Sequence, residues 1–127
     1  MNDADSAGYH VLLDYVDYRR GVDGDGKWVL NTLRGCVRDS GIREVHSHVE
    51  VFDGTESPPG FAAAVLIDES HVTAHCYSDR GLLAIDVFTC GDSDSGAVAD
   101  MIHDRLVSEN PEIRLIFRKS VERFRSG

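Results

Sequence analysis

Glu69-Ser70-His71 stands between two apolar runs in the stretch VLIDESHVTAHCYSDRGLLAIDVFTCG, residues 65–91. A serine hydroxyl that follows an acidic residue can attack the carbonyl on its own amino side where the backbone is strained and the oxyanion is held. The peptide bond then becomes an ester. Elimination across Ser70 splits the chain, and the dehydroalanine so formed hydrolyses to a pyruvoyl group with loss of ammonia. Glu69 would end a fragment 1–69, and the piece 70–127 would carry a ketone electrophile at its new N-terminus. Alone, the tripeptide is an ordinary polar turn, so its surroundings decide.

His75 falls five residues after the serine, and Asp86-Val87-Phe88-Thr89-Cys90-Gly91 puts a thiol twenty residues after it. In these pieces and spacings the segment resembles the self-processing site of the prokaryotic-type S-adenosylmethionine decarboxylase proenzymes. That resemblance implies a pyruvoyl cofactor generated from Ser70, which forms a Schiff base with the substrate amine and accepts the electrons left when carbon dioxide departs. It implies Cys90 as the acid that reprotonates the substrate and His75 as an aid to proton movement during self-cleavage. A thiol suits that role, being largely protonated near neutral pH yet quick to exchange. The implied product feeds spermidine synthesis, and the implied assembly is a homodimer with active sites near the interface.

The chain departs from the family pattern at Ala62, in the run after His75, and in the DGTESPPG loop where relatives carry an aromatic. Ala62 stands where relatives often carry a serine eight residues before the processing serine, leaving Ser57, Thr73 or water to supply that hydroxyl. Cys76-Tyr77-Ser78-Asp79 replaces the usual Trp-Pro-Glu run after the histidine. Tyr77 still offers a π face and Asp79 a carboxylate to an adenosine, with Phe52 or Phe61 as a second aromatic. An acidic pocket would equally suit ornithine or arginine as substrate. A relative that never processes and only binds or regulates is the third reading.

The elements that must position these residues follow from pattern. At 127 residues the chain is expected to form one domain whose core needs no disulfide or structural metal. Tyr9–Tyr15 reads as an inner strand after a disordered leader over residues 1–8, and residues 17–26 as a loop. Trp28, Val29, Thr32, Leu33, Cys36 and Val37 recur at helical spacing, predicting a helix over Lys27–Ser40 that Gly41 ends. Residues 43–52 alternate, with Val45, Ser47, Val49 and Val51 on one face and His46 and His48 on a polar, solvent face. A strand over Phe61–Asp68 leads into Ser70. Strands over 71–77 and 82–90 are joined by Ser78-Asp79-Arg80-Gly81, and with Asp79 and Arg80 at the tip Cys90 falls opposite Glu69. The same register leaves His75 roughly 16 Å along the strand from Ser70. Ser93, Asp94 or Ser95 caps a second helix over Ala97–Val107; a last strand covers Ile113–Phe117, and residues 118–127 form its solvated end and a tail. The sum is a two-layer α+β sandwich, a mainly antiparallel sheet with two helices on one face.

Composition bounds the partners. A net charge of −9 argues against nucleic acid and anionic membranes. Cys36, Cys76 and Cys90 form no even framework, which suits a reducing, cytoplasmic setting. No apolar run reaches membrane-spanning length, and the acidic start MNDADSAG lacks a signal peptide's positive flank. The DGDG run over residues 23–26 lacks the remaining ligands of a calcium loop, and His46 and His48 lack an evident third ligand, so no metal is expected.

Overall fold

The computed structural model describes residues 8–19, 23–90 and 93–124. The expected leader lies outside them except for Gly8. In chain order the elements are β1 (Tyr9–Val16), α1 (Asp25–Asp39), β2 (Glu44–Phe52), β3 (Gly60–Ile67), β4 (Ser70–Tyr77), β5 (Leu82–Thr89), α2 (Ser95–Glu109) and β6 (Arg114–Glu122). The six strands make one sheet in the order β2-β3-β4-β5-β1-β6, and every pairing is antiparallel. Both helices cover the same face, giving the two-layer α+β architecture expected.

Strand alternation builds that layer. Val11, Leu13 and Tyr15 of β1, Ala63, Val65 and Ile67 of β3, Val72, Ala74 and Cys76 of β4, and Leu83, Ile85 and Val87 of β5 point inward and are buried. Val29, Leu33, Cys36 and Val37 of α1 meet Val98, Ala99, Ile102 and Leu106 of α2 over them. Each fully buried Leu or Ile here contributes on the order of 2 kcal/mol. The other face of the sheet carries no helix among the described residues, and on it stand His10, Ala62, His71, Thr73, His75, Asp86, Phe88 and the strands' remaining alternate residues.

Several boundaries shift for physical reasons. The helix α1 begins at Asp25, so Asp25 and Gly26 of the DGDG run are its first turn rather than loop. Asp94 is the cap of α2, accepting from the Ala97 amide at 3.1 Å. The strand β2 lies at the sheet edge, and its apolar face is only partly covered: Val45 and Val51 are 55% and 69% exposed. The strand β6 runs to Glu122, five residues beyond Phe117, because β1 offers partners to its end, Val121 opposite His10 and Glu122 opposite Tyr9. The strand's solvated end therefore continues as ladder to Glu122, with most of its side chains exposed. Asp68 leaves β3 and joins a turn.

Candidate active site

Ile67 and Ser70 are partners in the β3–β4 ladder, so Asp68 and Glu69 alone make the turn between them. Glu69 takes φ 66, a left-handed conformation that costs a residue with a side chain roughly 1–2 kcal/mol. The turn is held from outside. Arg43 donates to both carboxylate oxygens of Asp68 at 3.1 and 2.9 Å, and its carbonyl accepts from the Asp68 amide at 3.1 Å. Those bonds hold the Asp68 carboxyl below the usual carboxylate range. Immediately after the strained residue, the Ser70 hydroxyl oxygen is buried and bonded to none of the described residues.

The β4–β5 register is the one the sequence predicts, with His71 opposite Phe88 and Tyr77 opposite Leu82. The connection is a 3-10 turn over Ser78–Arg80 closed by Gly81 at φ 64. That ladder ends at the His71–Phe88 pair, and Glu69, in the turn before β4, and Cys90, just past β5, both lie beyond it at the same end. The thiol is half-buried, while Cys36 and Cys76 are buried. Burial pushes Cys76 up to about 11 and raises Cys36 as well. Gly8 leaves room beside Cys90: a Cβ there would lie 3.1 Å from the thiol sulfur and 2.5 Å from the Phe88 ring.

His75 stands elsewhere. The strand β4 is continuous from Ser70 to Tyr77, so the histidine is five residues away, roughly 16 Å at the usual rise. It is exposed on the face without helices, opposite Ala62 on β3 and Ala84 on β5. There it lines a hollow of about 230 Å³ with Phe52, Ser57, Phe61 and Tyr77. Two of the three expected substrate contacts, Phe52 and Tyr77, thus meet at His75. Asp79 does not line that hollow and is exposed in the turn. Of the alternative hydroxyls, Ser57 lines it and Thr73 donates to Asp86 at 3.4 Å.

A polar cluster lies beside Ser70 and Cys90. The rings of His10 and His71 meet edge to face at 5.9 Å, and both pack on Phe88, at 5.7 and 5.5 Å. His10 Nε2 is 3.7 Å from Asp86. Arg123 reaches His10 Nδ1 at 3.3 Å and lies 5.3 Å over the Phe88 ring. Desolvation by burial depresses the His71 pKa; nearby His10 and Arg123 depress it further, and Asp86 opposes them.

The family model described as S-adenosylmethionine decarboxylase matches residues 9–119. The chain belongs to that family. The S-adenosylmethionine decarboxylase proenzyme of Bacillus velezensis is 43% identical over 112 residues, covering 85% of this chain and 82% of that one. The proenzyme of a Geobacillus strain is 33% identical over 110 residues, covering 85% and 84%. The crystal structure of the adenosylmethionine decarboxylase from Aquifex aeolicus superposes with a TM-score of 0.67 at 26% identity, over 97% of this chain and 95% of that one.

Within this S-adenosylmethionine decarboxylase fold, the sequence singled out Ser70, Cys90, His75, Tyr77 and Phe52 as candidates, and gave no role to His10, Asp86 or Arg123. A signal existed for the first two. Alternation puts His10 and Asp86 on the face opposite Val11 and Val87, away from the helices. Arg123 carried none, because its placement depends on how far β6 continues along β1. No helix among the described residues is long and apolar enough to cross a membrane.

Proposed function

We propose that the chain is a self-processing proenzyme that cleaves between Glu69 and Ser70 and then decarboxylates S-adenosylmethionine, supplying the aminopropyl donor for spermidine. The supporting observation is a buried Ser70 hydroxyl with no hydrogen-bond partner among the described residues, next to a left-handed Glu69, in a chain of this family. Strain at Glu69 raises the energy of the intact turn, and the Ser70 oxygen gives up no hydrogen bond to a described residue before it attacks the Glu69 carbonyl. These residues fit a pyruvoyl group made from Ser70. Once formed, that group supplies a keto carbon that binds the substrate amine and draws off the electrons left by carbon dioxide.

The chain's own residues divide the remaining work. Cys90, just past the end of β5 on the side where Ser70 begins β4, holds the proton that the substrate carbon receives. Phe52 and Tyr77 offer aromatic faces to the purine in the hollow beside His75. His75 moves a proton during cleavage, and the 16 Å separation assigns that task to a second copy. Pairing two copies through the helix-free sheet faces, on which His75 stands, would supply that histidine from the partner subunit. The single domain then acts as a homodimer with each site built from both chains.

Intact mass under denaturing conditions tests processing, and carbon dioxide release from S-adenosylmethionine, ornithine and arginine tests the substrate. Fragments 1–69 and 70–127 with release from S-adenosylmethionine alone are expected. Release from ornithine or arginine instead would refute the substrate, and an uncleaved chain would refute the function.

A further inference from the structure

Arg123 and Gly8 both lie outside the residues matched to the family, 9–119, yet they meet at the end of the sheet where Ser70 and Cys90 stand. The Arg123 amide donates to the Gly8 carbonyl at 2.8 Å. Gly8 in turn is the residue on which the Cys90 sulfur and the Phe88 ring rest, and any side chain there would collide with Phe88. The guanidinium of Arg123 lies between two rings, 5.3 Å from the centre of Phe88 and 5.5 Å from that of Phe124. Phe124 adopts φ 63 in placing its ring there.

The same guanidinium fixes a tautomer. Arginine only donates, so at 3.3 Å His10 Nδ1 must accept, and the ring proton stays on Nε2, a buried nitrogen 3.7 Å from Asp86 with no hydrogen-bond partner among the described residues. Asp86 also accepts from Thr73 at 3.4 Å. His10 so oriented presents its ring to His71, the residue joined to Ser70. We propose that Arg123 is a positioning residue: its main chain ties Gly8 under Cys90, and its guanidinium locks His10 and Phe88 against His71, fixing both strand ends that carry the reacting groups. This rests on the proposed roles of Ser70 and Cys90.

The test uses Arg123→Met and Arg123→Lys in the full chain. Per cleaved chain, Arg123→Met, which has no donor, should lower kcat about tenfold while KM for S-adenosylmethionine stays within about twofold, and Arg123→Lys, which still donates, should recover most of kcat. The second readout needs no cleavage. In full-length Ser70→Ala chains at pH 8, imidazole ¹⁵N shifts should report His10 as the Nε2–H tautomer, and adding Arg123→Met should give a mixture. Should Arg123→Met fail to fold, Phe124→Ala removes one ring from the guanidinium at an exposed position and should move both readouts in the same direction. An unchanged kcat, a change confined to KM, or an unmoved His10 tautomer would overturn the proposal. A chain that never cleaves would instead defeat the proposed function, while the tautomer measurement would still decide the role of Arg123.

Discussion

Ala62 and His75 are direct partners across the β3–β4 ladder, both on the sheet face that carries no helix. Cross-strand neighbours of this kind hold their Cβ atoms about 5 Å apart. A hydroxyl at position 62 would therefore stand beside the His75 imidazole. Ala62→Ser is expected to speed self-cleavage about tenfold or more, read as the rate at which full-length chain disappears by mass. The gain should vanish in Ala62→Ser/His75→Ala. A gain that survives the loss of His75 would show that the pair does not act together.

Because Ser70 and His75 are far apart on one strand, a shared site predicts complementation. Ser70→Ala and His75→Ala chains should each stay uncleaved or cleave slowly when expressed alone. Expressed together, the His75→Ala chain should be cleaved, since it pairs its own Ser70 with the partner subunit's His75. Cleavage that is no faster in the mixture than in the His75→Ala chain alone would place both residues' action within one chain.

The left-handed Glu69 carries a stability prediction. In the uncleavable Ser70→Ala background, Glu69→Gly should stabilise the chain by about 1 kcal/mol in denaturant unfolding, because glycine adopts positive φ without penalty. With Ser70 restored, the same substitution should slow cleavage, the turn having lost the strain that favours attack. Faster cleavage would mean that the turn's strain opposes the reaction.

His71 gives a pH dependence. Its folded pKa lies below the ordinary value of 6.5, chiefly through desolvation and secondarily through His10 and Arg123. The unfolded chain therefore takes up a proton first as pH falls. The His71 contribution to stability is whole above about pH 6.5 and declines as pH drops from there toward the folded pKa. Denaturant midpoints of full-length Ser70→Ala chain should fall over that window, and His71→Phe should flatten the fall. Arg123→Gln should raise the His71 pKa in an NMR titration, and Asp86→Asn should lower it.

Much of this was written in local pattern. Alternation and turn chemistry placed the strands from β3 to β5, and the register that pairs His71 with Phe88 came from one turn and two apolar runs. The separation of His75 from Ser70 followed from the same register. What sequence left unread depended on pairing between distant segments. The strand β6 outlasts its apolar core because β1 runs beside it, and only that extension brings Arg123 to His10. Likewise, Phe52 and Tyr77 share a hollow because β2 and β4 flank β3, which neither residue's neighbours announce. The left-handed φ of Glu69 is a property of a two-residue turn that Arg43 clamps from another strand's start, and a glutamate gives no hint of it.

Whether this chain cuts itself between Glu69 and Ser70 is read from the intact mass of the freshly purified protein under denaturing conditions. Two fragments are expected, 1–69 ending in a free Glu69 carboxylate and 70–127 bearing a pyruvoyl group in place of Ser70, with Ser70→Ala remaining whole. A wild-type chain that stays intact, or a Ser70→Ala chain that still splits at that bond, would rule self-cleavage at Ser70 out.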